Sequence, residues 1–385
     1  MPEQFLHGVE VVQIDDGLRP IRTVKSSVIG LIGTAPQGDE NKATLIAGSR
    51  REAVTMFGAP DGTTTIPDAF DAIFDQVGAM VVTVRVPEGA DAAETKSNII
   101  GGVDAGTGQY TGVHAFLAAQ SELGVTPRIL IAPGWGHDVD VISELVGVAE
   151  RLRAVIIADG PNTNDAAAIA FRGNFGSKRV YVVDPMVRKW DTVLDAEVTQ
   201  PASPRVAGLI SKMDNDRGFW WSPSNQNING ISGTARPVDF TLGDPNSRAN
   251  HLNENDVTTI IQDDGFRLWG NRTCSGDPKW AFLNVVRTVD MVNESVLHAH
   301  RWAVDRNLTK TLVSDVVEGV QAYLDHLKVV GAILGGRAWA DKELNTPEQI
   351  AQGKLYIDFD LSAPTPAEHI TFRSHLVDDY YVNVL

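Results

Sequence analysis

Cysteine is almost absent: Cys274 is the only one in 385 residues. That excludes an intrachain disulfide and any cysteine cluster for zinc or iron–sulfur ligation. A lone thiol without a nucleophile signature around it reads as a small buried side chain. Long hydrophobic runs are missing too, none nearing the roughly 20 apolar residues of a membrane span. There is no basic excess, since the formal charge is −16. Neither the cationic face of a nucleic-acid binder nor a polybasic membrane anchor is therefore expected. The opening "MPEQFLHGVEVVQID" has no basic region followed by an apolar core, so a secretory signal is not expected. A reducing cytosol fits this chain, and work outside a cell would require release by lysis or within an assembly. Repeats, heptads and low-complexity tracts are also lacking.

What is present is an ordinary globular composition, 43% hydrophobic and 21% charged, long enough for two or three domains. Residues 1–20 read as a strand arm, in which Val9 and Val11 share one parity before Val12 and Ile14 take the other. Residues 21–100 are mixed. "SSVIGLIGTAP" and "AMVVTVRVPEG" have strand patterns, and "IPDAFDAIFDQVG" has helical spacing. Residues 101–253 alternate. Apolar strands "PRILIAPG", "RAVIIADG" and "KRVYVVDP" are separated by the helix-like "VDVISELVGVAERL" and "NDAAAIAFRGNF". Continuous apolar strands joined by helix-length connections predict a largely parallel, doubly covered sheet. "SPRVAGLISKMDNDRG" reads as a further helix with Ser203 at the N-cap and Pro204 in the first turn.

From 254 to 376, Asp277 and Pro278 are expected to start a long helix with Phe282, Val285, Val289, Val292 and Val296 as its stripe. A second helix carries Leu312, Val316, Val320, Tyr323 and Leu327 and stops at "VVGAILGG". Two strand patterns follow, "KLYIDFDLS" and "EHITFRSHL", joined by "APTPA". The end of the chain, 377–385, reads as another strand, with Tyr380, Val382 and Val384 on one side. The expected class is α/β, α+β overall: a parallel-sheet central body and a C-terminal α+β domain.

The candidates for chemistry are thin. Gly30, Gly33 and Gly38 follow a strand, but not at dinucleotide spacing, and Pro36 interrupts the phosphate-binding helix such a site needs. "APGWGHD" sits at the carboxyl end of a parallel strand, where His137 and Asp138 are placed for acid–base work. No G-x-S-x-G elbow accompanies them, and Asp138 as a helix cap explains the loop as well. His298 and His300 are two apart on a helix, so they do not converge on a metal. The acidic pairs 15–16, 263–264 and 378–379 are adjacent residues at strand ends rather than facing carboxylates. No catalytic residue, cofactor or metal is assigned. The runner-up class is an α/β hydrolase or nucleotide-binding enzyme built on 101–253. A secreted adhesin or shell protein is a third.

Three stretches carry a family resemblance. "SPRVAGLISKMDNDRGFWWSPSNQNINGI" (203–231), "LNENDVTTIIQDDGFRLWGNRTCS" (252–275) and "LGVTPRILIAPG" (123–134) resemble segments of contractile tail sheath proteins. The second carries the most recognisable pattern, with Arg267, Trp269, Gly270 and Arg272. The resemblance covers most of the chain, and its length is similar to the shorter sheaths of simple myophages and R-type tailocins.

That resemblance implies a structural subunit, not an enzyme. It would polymerise helically around an inner tube and contract from a metastable extended state, driving the tube through a cell envelope. It implies partners: further copies of itself, the tube protein, and baseplate and tail-terminator proteins, with no nucleic acid and no direct membrane contact. It implies assembly in a bacterial cytoplasm and release in a virion tail or tailocin by lysis. Strand arms at both ends would be donated to neighbours, completing the small sheet of the C-terminal inner domain. The arm residues are then Phe5, Val9, Val11, Ile14, Tyr380, Tyr381, Val382 and Val384. The receiving strands carry Tyr356, Ile357, Phe359, Ile370 and Phe372. Arg301, Arg306 and Lys310 are the expected tube contacts, and "GFRLWGNRTCS" is expected to be a rigid junction between body and C-terminal domain.

Overall fold

The computed structural model describes residues 21–191 and 195–377. The arm residues Phe5, Val9, Val11, Ile14, Tyr380, Tyr381, Val382 and Val384 lie outside the described residues. The longer strands are β1 (Ile29–Gly33), β2 (Ala43–Ala47), β3 (Met80–Arg85), β4 (Ile129–Ile131), β5 (Val155–Asp159) and β6 (Val180–Val183). They continue as β7 (Val187–Asp191), β8 (Ala196–Gln200), β9 (Val257–Gln262), β10 (Phe266–Trp269), β11 (Gly335–Ala340) and β12 (Ile357–Ser362). The main helices are α1 (Arg50–Phe57), α2 (Thr65–Phe74), α3 (Ala92–Ile100), α4 (Val139–Leu152) and α5 (Asp165–Arg172). After them come α6 (Ser203–Asp216), α7 (Arg248–Glu254), α8 (Leu283–Ala299) and α9 (Lys310–Val329).

Among the described residues, nine strands form one sheet in the order β2-β3-β1-β4-β5-β6-β9-β10, closed by the short strand Gln226–Asn227. Its centre, from β3 to β9, is parallel, and β2, β10 and Gln226–Asn227 join antiparallel at the edges. Period-two burial explains the layering. Ile29 and Leu31 of β1, with Val155 and Ile157 of β5, pack into the core layer shared with α2 and α6. Ile32, Ile156 and Val182 pack into the opposite layer with α4 and α5. Both faces are thus covered, as continuous apolar strands require. The sheet draws on strands before residue 100 and after residue 253, so neither expected boundary interrupts it.

Local signals place most helix starts. Ser49, Asp91, Asp138, Asn164, Ser247 and Thr309 each accept a backbone N–H of the helix they precede. Two expected starts differ. Ser203 is the first residue of α6 rather than its cap, and its side chain is used elsewhere. Asp277 caps only a 3₁₀ turn at Pro278–Trp280, and α8 begins at Leu283.

The buried positions of α8 also differ from the expected stripe. Leu283, Val286, Met291 and Val292 are buried, whereas Val285 and Val289 are only half-buried. The helix serves two cores at once. Leu283 and Val286 enter the sheet core, while Met291 and Val292 enter a third cluster with Val320, Tyr323, Leu324 and Leu327 of α9.

That third cluster supports a two-stranded antiparallel sheet, β11–β12, with Ala338 opposite Phe359. β12 falls on the expected "KLYIDFDLS", and β11, "GGRAWA", was not anticipated because two glycines and an arginine hide its alternation. "EHITFRSHL" forms no strand within the described chain. A strand needs a partner for its backbone groups, and none of the described residues supplies one there.

Candidate functional site

The junction between the sheet and the C-terminal unit carries Arg267, Trp269, Gly270 and Arg272. β10 pairs with β9 on one side and Gln226–Asn227 on the other, which fixes alternate faces. Leu268 points into the core and is fully buried, while Trp269 packs edge-on against Phe240 with centroids 4.9 Å apart. Gly270 follows at φ 136°, where Thr258 and Asn253 leave no room for a Cβ. Its carbonyl accepts the Tyr181 hydroxyl at 2.7 Å, and its N–H donates to Ser224 Oγ at 3.1 Å. Arg267 serves locally, donating to the carbonyl of Asp263 at 2.8 Å and to Asn225 Oδ1 at 3.2 Å. Cys274 is fully buried, with its thiol pushed up to about 12 by burial, so it is no nucleophile.

From this junction α8 leaves along a row of ion pairs that sequence reading missed. Arg287, Asp290 and Glu294 recur at i, i+3 and i+7, on one helical face. Arg287 grips Asp214 of α6 through two bonds of 2.7 and 2.6 Å and donates to the Ser26 carbonyl at 3.2 Å. Asp290 accepts from Arg179, just before β6. Glu294 accepts from Arg128, just before β4, at 3.0 Å and from Arg153, before β5, at 3.1 Å. Burial opposes ionisation of Glu294, but the Arg128 guanidinium, with Arg153 behind it, holds its carboxyl below the usual range. Burial likewise works against charge on Arg179, and the carboxylates of Asp290 and Glu150 together outweigh it, raising the guanidinium's hold on its proton. Charged residues three and four apart along this helix were the available signal.

A separate buried acid explains Ser203. Asp159, at the carboxyl end of β5, accepts the Ser203 N–H at 2.8 Å and its hydroxyl at 2.5 Å. The carboxyl, enclosed completely, is pushed up to about 6, burial outweighing those bonds. The carboxylate thus caps α6 from a neighbouring strand, which leaves it no open face toward a substrate. Asp138 is similarly committed, to the first turn of α4 and to Lys96 at 2.9 Å. Gly33 makes room for Thr65 of α2, and a Cβ there would overlap its hydroxyl. His298 meets Glu294 at 3.2 Å, and His300 bonds the Val296 carbonyl at 2.8 Å.

The roots of both chain ends cross this same scaffold. Thr23 Oγ1 meets the Tyr323 hydroxyl at 2.9 Å, and the Val24 N–H donates to Ser295 Oγ at 3.1 Å. On the other side, Asn284 Nδ2 donates to the Pro364 carbonyl at 3.1 Å. Arg272 forms a forked pair with Glu368, at 2.7 and 2.5 Å. Beyond that point Ile370, Phe372 and Leu376 are 65%, 91% and 101% exposed. Of the expected receiving residues, Ile357 and Phe359 lie in β12 and Tyr356 just before it, whereas Ile370 and Phe372 stand on this uncovered segment. Arg301 and Arg306 lie on the exposed turn between α8 and α9, where Arg306 lies over the Trp302 ring at 4.8 Å, and Lys310 is the exposed first residue of α9.

The chain matches three family descriptions in order along its length. Residues 26–86 match the tail sheath protein Gp18 domain III N-terminal region, 107–274 the phage tail sheath protein central domain, and 275–376 the phage tail sheath C-terminal domain. A prophage major tail sheath protein of Pseudomonas aeruginosa is 44% identical over 386 residues, covering 99% of both chains. The tail sheath protein of Escherichia phage P2 is 39% identical over 394 residues, covering 99% of this chain and 98% of its own. In fold, the chain is similar to the helical sheath of the anti-feeding prophage in its contracted state. That match has a TM-score of 0.73 and 22% identity, covering 97% of this chain and 99% of the other.

Proposed function

The chain belongs to the phage tail sheath protein family, and we propose that it is the contractile sheath subunit that stacks helically around an inner tube. One observation carries the assembly reading: the C-terminal unit holds an unfinished two-stranded sheet beside a strand-patterned segment with a bare apolar face. A two-stranded sheet is marginal alone, and open strand edges recruit further strands. In a lattice of identical copies each unmet need is answered by the next subunit. β11–β12 receives strands, and the chain ends supply them. Residues Ile370 and Phe372 then sit on the donated side rather than the receiving side.

Strand exchange would let bodies slide while main-chain bonds keep them linked, and head-to-tail contacts that do not close generate a helix. The work of contraction would be stored in the extended lattice, with the chain acting as a structural element rather than an enzyme. The basic residues Arg301, Arg306 and Lys310 are proposed as the tube contact. Replacing all three by glutamate should spare self-assembly and stop co-sedimentation with purified tube; undiminished co-sedimentation would refute the contact. Baseplate and tail-terminator proteins would bound the polymer, with assembly in the bacterial cytoplasm and release by lysis.

The direct test is polymerisation of the purified chain with and without residues 378–385. Negative-stain images should show rings or hollow cylinders for the full chain and isolated subunits for the truncation. Cylinders formed normally by the truncated chain would overturn strand donation from this end.

A further inference from the structure

We infer that Arg272 is a fixed post that holds the root of the C-terminal segment and so sets where that segment leaves the body. The inference rests on the reading that this segment reaches a neighbouring copy. Its grounds, however, lie within one subunit.

The post is organised before the segment meets it. The backbone of Arg272 bridges to that of Phe282, and its guanidinium lies 5.3 Å from the Phe282 ring centroid. Asp256 Oδ1 stands 3.9 Å from Nη1, and Asp256 is itself held by Arg172 at 2.5 Å. A guanidinium set over a ring and beside a carboxylate has lost part of its rotational freedom, so a second carboxylate can pair with it at reduced entropic cost. Glu368 meets it with both oxygens, Nε to Oε1 and Nη2 to Oε2. This fork adds direction as well as attraction.

The segment changes character at that residue. Upstream, after β12 ends at Ser362, the carbonyl of Pro364 is held by Asn284, a nearly buried side chain. Downstream, among the described residues, the side-chain bond found is internal, between Thr371 Oγ1 and His369 Nε2. There the sequence alternates from His369 to Arg373. Ile370, Phe372 and Leu376 fall on one parity, interrupted by Ser374, and His369, Thr371, Arg373 and His375 on the other. An exposed segment of this pattern, tied at its base by a fork, gives each copy the same exit point. Without the tie, the exposed segment would search a wide volume and lose the entropy of that search on docking. Arg272 therefore acts through Glu368, as a positioning residue.

The test uses the unassembled full chain and trypsin, because Arg373 lies five residues past the tie and is exposed. A protease must seat several residues on each side of the cut in extended form, so cleavage there reports release of the tie at Glu368. Glu368→Gln removes the charge from an exposed position and leaves the body folded; Arg272→Gln removes the fork from the other side. Each should speed cleavage after Arg373 about fivefold, and the wild-type rate should rise toward theirs in high salt, as exposed pairs do. The melting temperature of the unassembled Glu368→Gln chain should stay within about 1 °C of wild type. The same variant should form pelletable polymer several-fold less well. Equal cleavage rates in wild type and Glu368→Gln would overturn the post. If the tie is confirmed by proteolysis yet chains lacking 378–385 still polymerise, the strand-donation reading fails and the post stands.

Discussion

Replacing Arg287 by methionine is the sharpest probe of how α8 joins the two cores. The guanidinium and its partner Asp214 are 4% and 2% exposed, and the two bonds between them are 2.7 and 2.6 Å. Methionine fills most of the space, so the cavity contribution is small and the electrostatic one dominates. It strands an almost fully enclosed carboxylate and frees the Ser26 carbonyl as well. Removing one partner of such a pair costs about 3–5 kcal/mol, because the remaining charge has no solvent to turn to. The double variant Arg287→Met/Asp214→Leu removes both charges and should recover most of that loss, since the net worth of a buried pair against apolar residues is near zero. Urea unfolding of the unassembled chain, followed by circular dichroism, measures all four corners of the cycle. A single variant within about 1 kcal/mol of wild type, or a double variant no better than Arg287→Met, would refute the argument that this pair closes the α6–α8 contact.

Two further outcomes follow from the same structure. Asp159 has a carboxyl raised by burial to about 6, above its unfolded value, so its protonated form favours the fold. That stability is fully present below about pH 4 and is lost as pH rises through about 6, by up to about 3 kcal/mol. Wild type measured against Asp159→Asn should therefore gain stability between pH 7 and pH 5, and a difference independent of pH would sink the assignment. Trp269→Ala removes the edge-on contact with Phe240 from a half-buried site and should cost about 2–4 kcal/mol, with loss of assembly. Arg267→Ala, whose bonds are local and exposed, should cost about 1 kcal/mol and leave the fold intact. Thermal melts of the two variants check the order, and equal losses would contradict it.

Much of the architecture was legible without coordinates. The apolar strands of the parallel sheet, the extent of α4 and the buried stripe of α9 follow from periods of 2 and 3.6 and from caps a few residues away. These signals are local, and the side chains that carry them act on their own backbone. The solitary cysteine was also correctly read as buried.

The tertiary structure decided whatever depends on residues distant in the chain. Ser203 resembles a cap until Asp159 arrives from 44 positions away and takes its hydroxyl. The face of α8 that is buried is settled by Asp214, Arg179 and Arg128, because enclosed charges must be paired before apolar residues choose their side. β11 exists because β12 pairs with it and α9 lies beneath, although its own glycines argue for a turn. Ile370 and Phe372 have a strand's alternation and no strand's partner, since alternation records which side chains are to be covered and says nothing of what covers them. The sequence by itself gives "EHITFRSHL" a strand's pattern, and only the fold shows that no strand forms there among the described residues, because backbone pairing depends on a partner that local alternation does not supply.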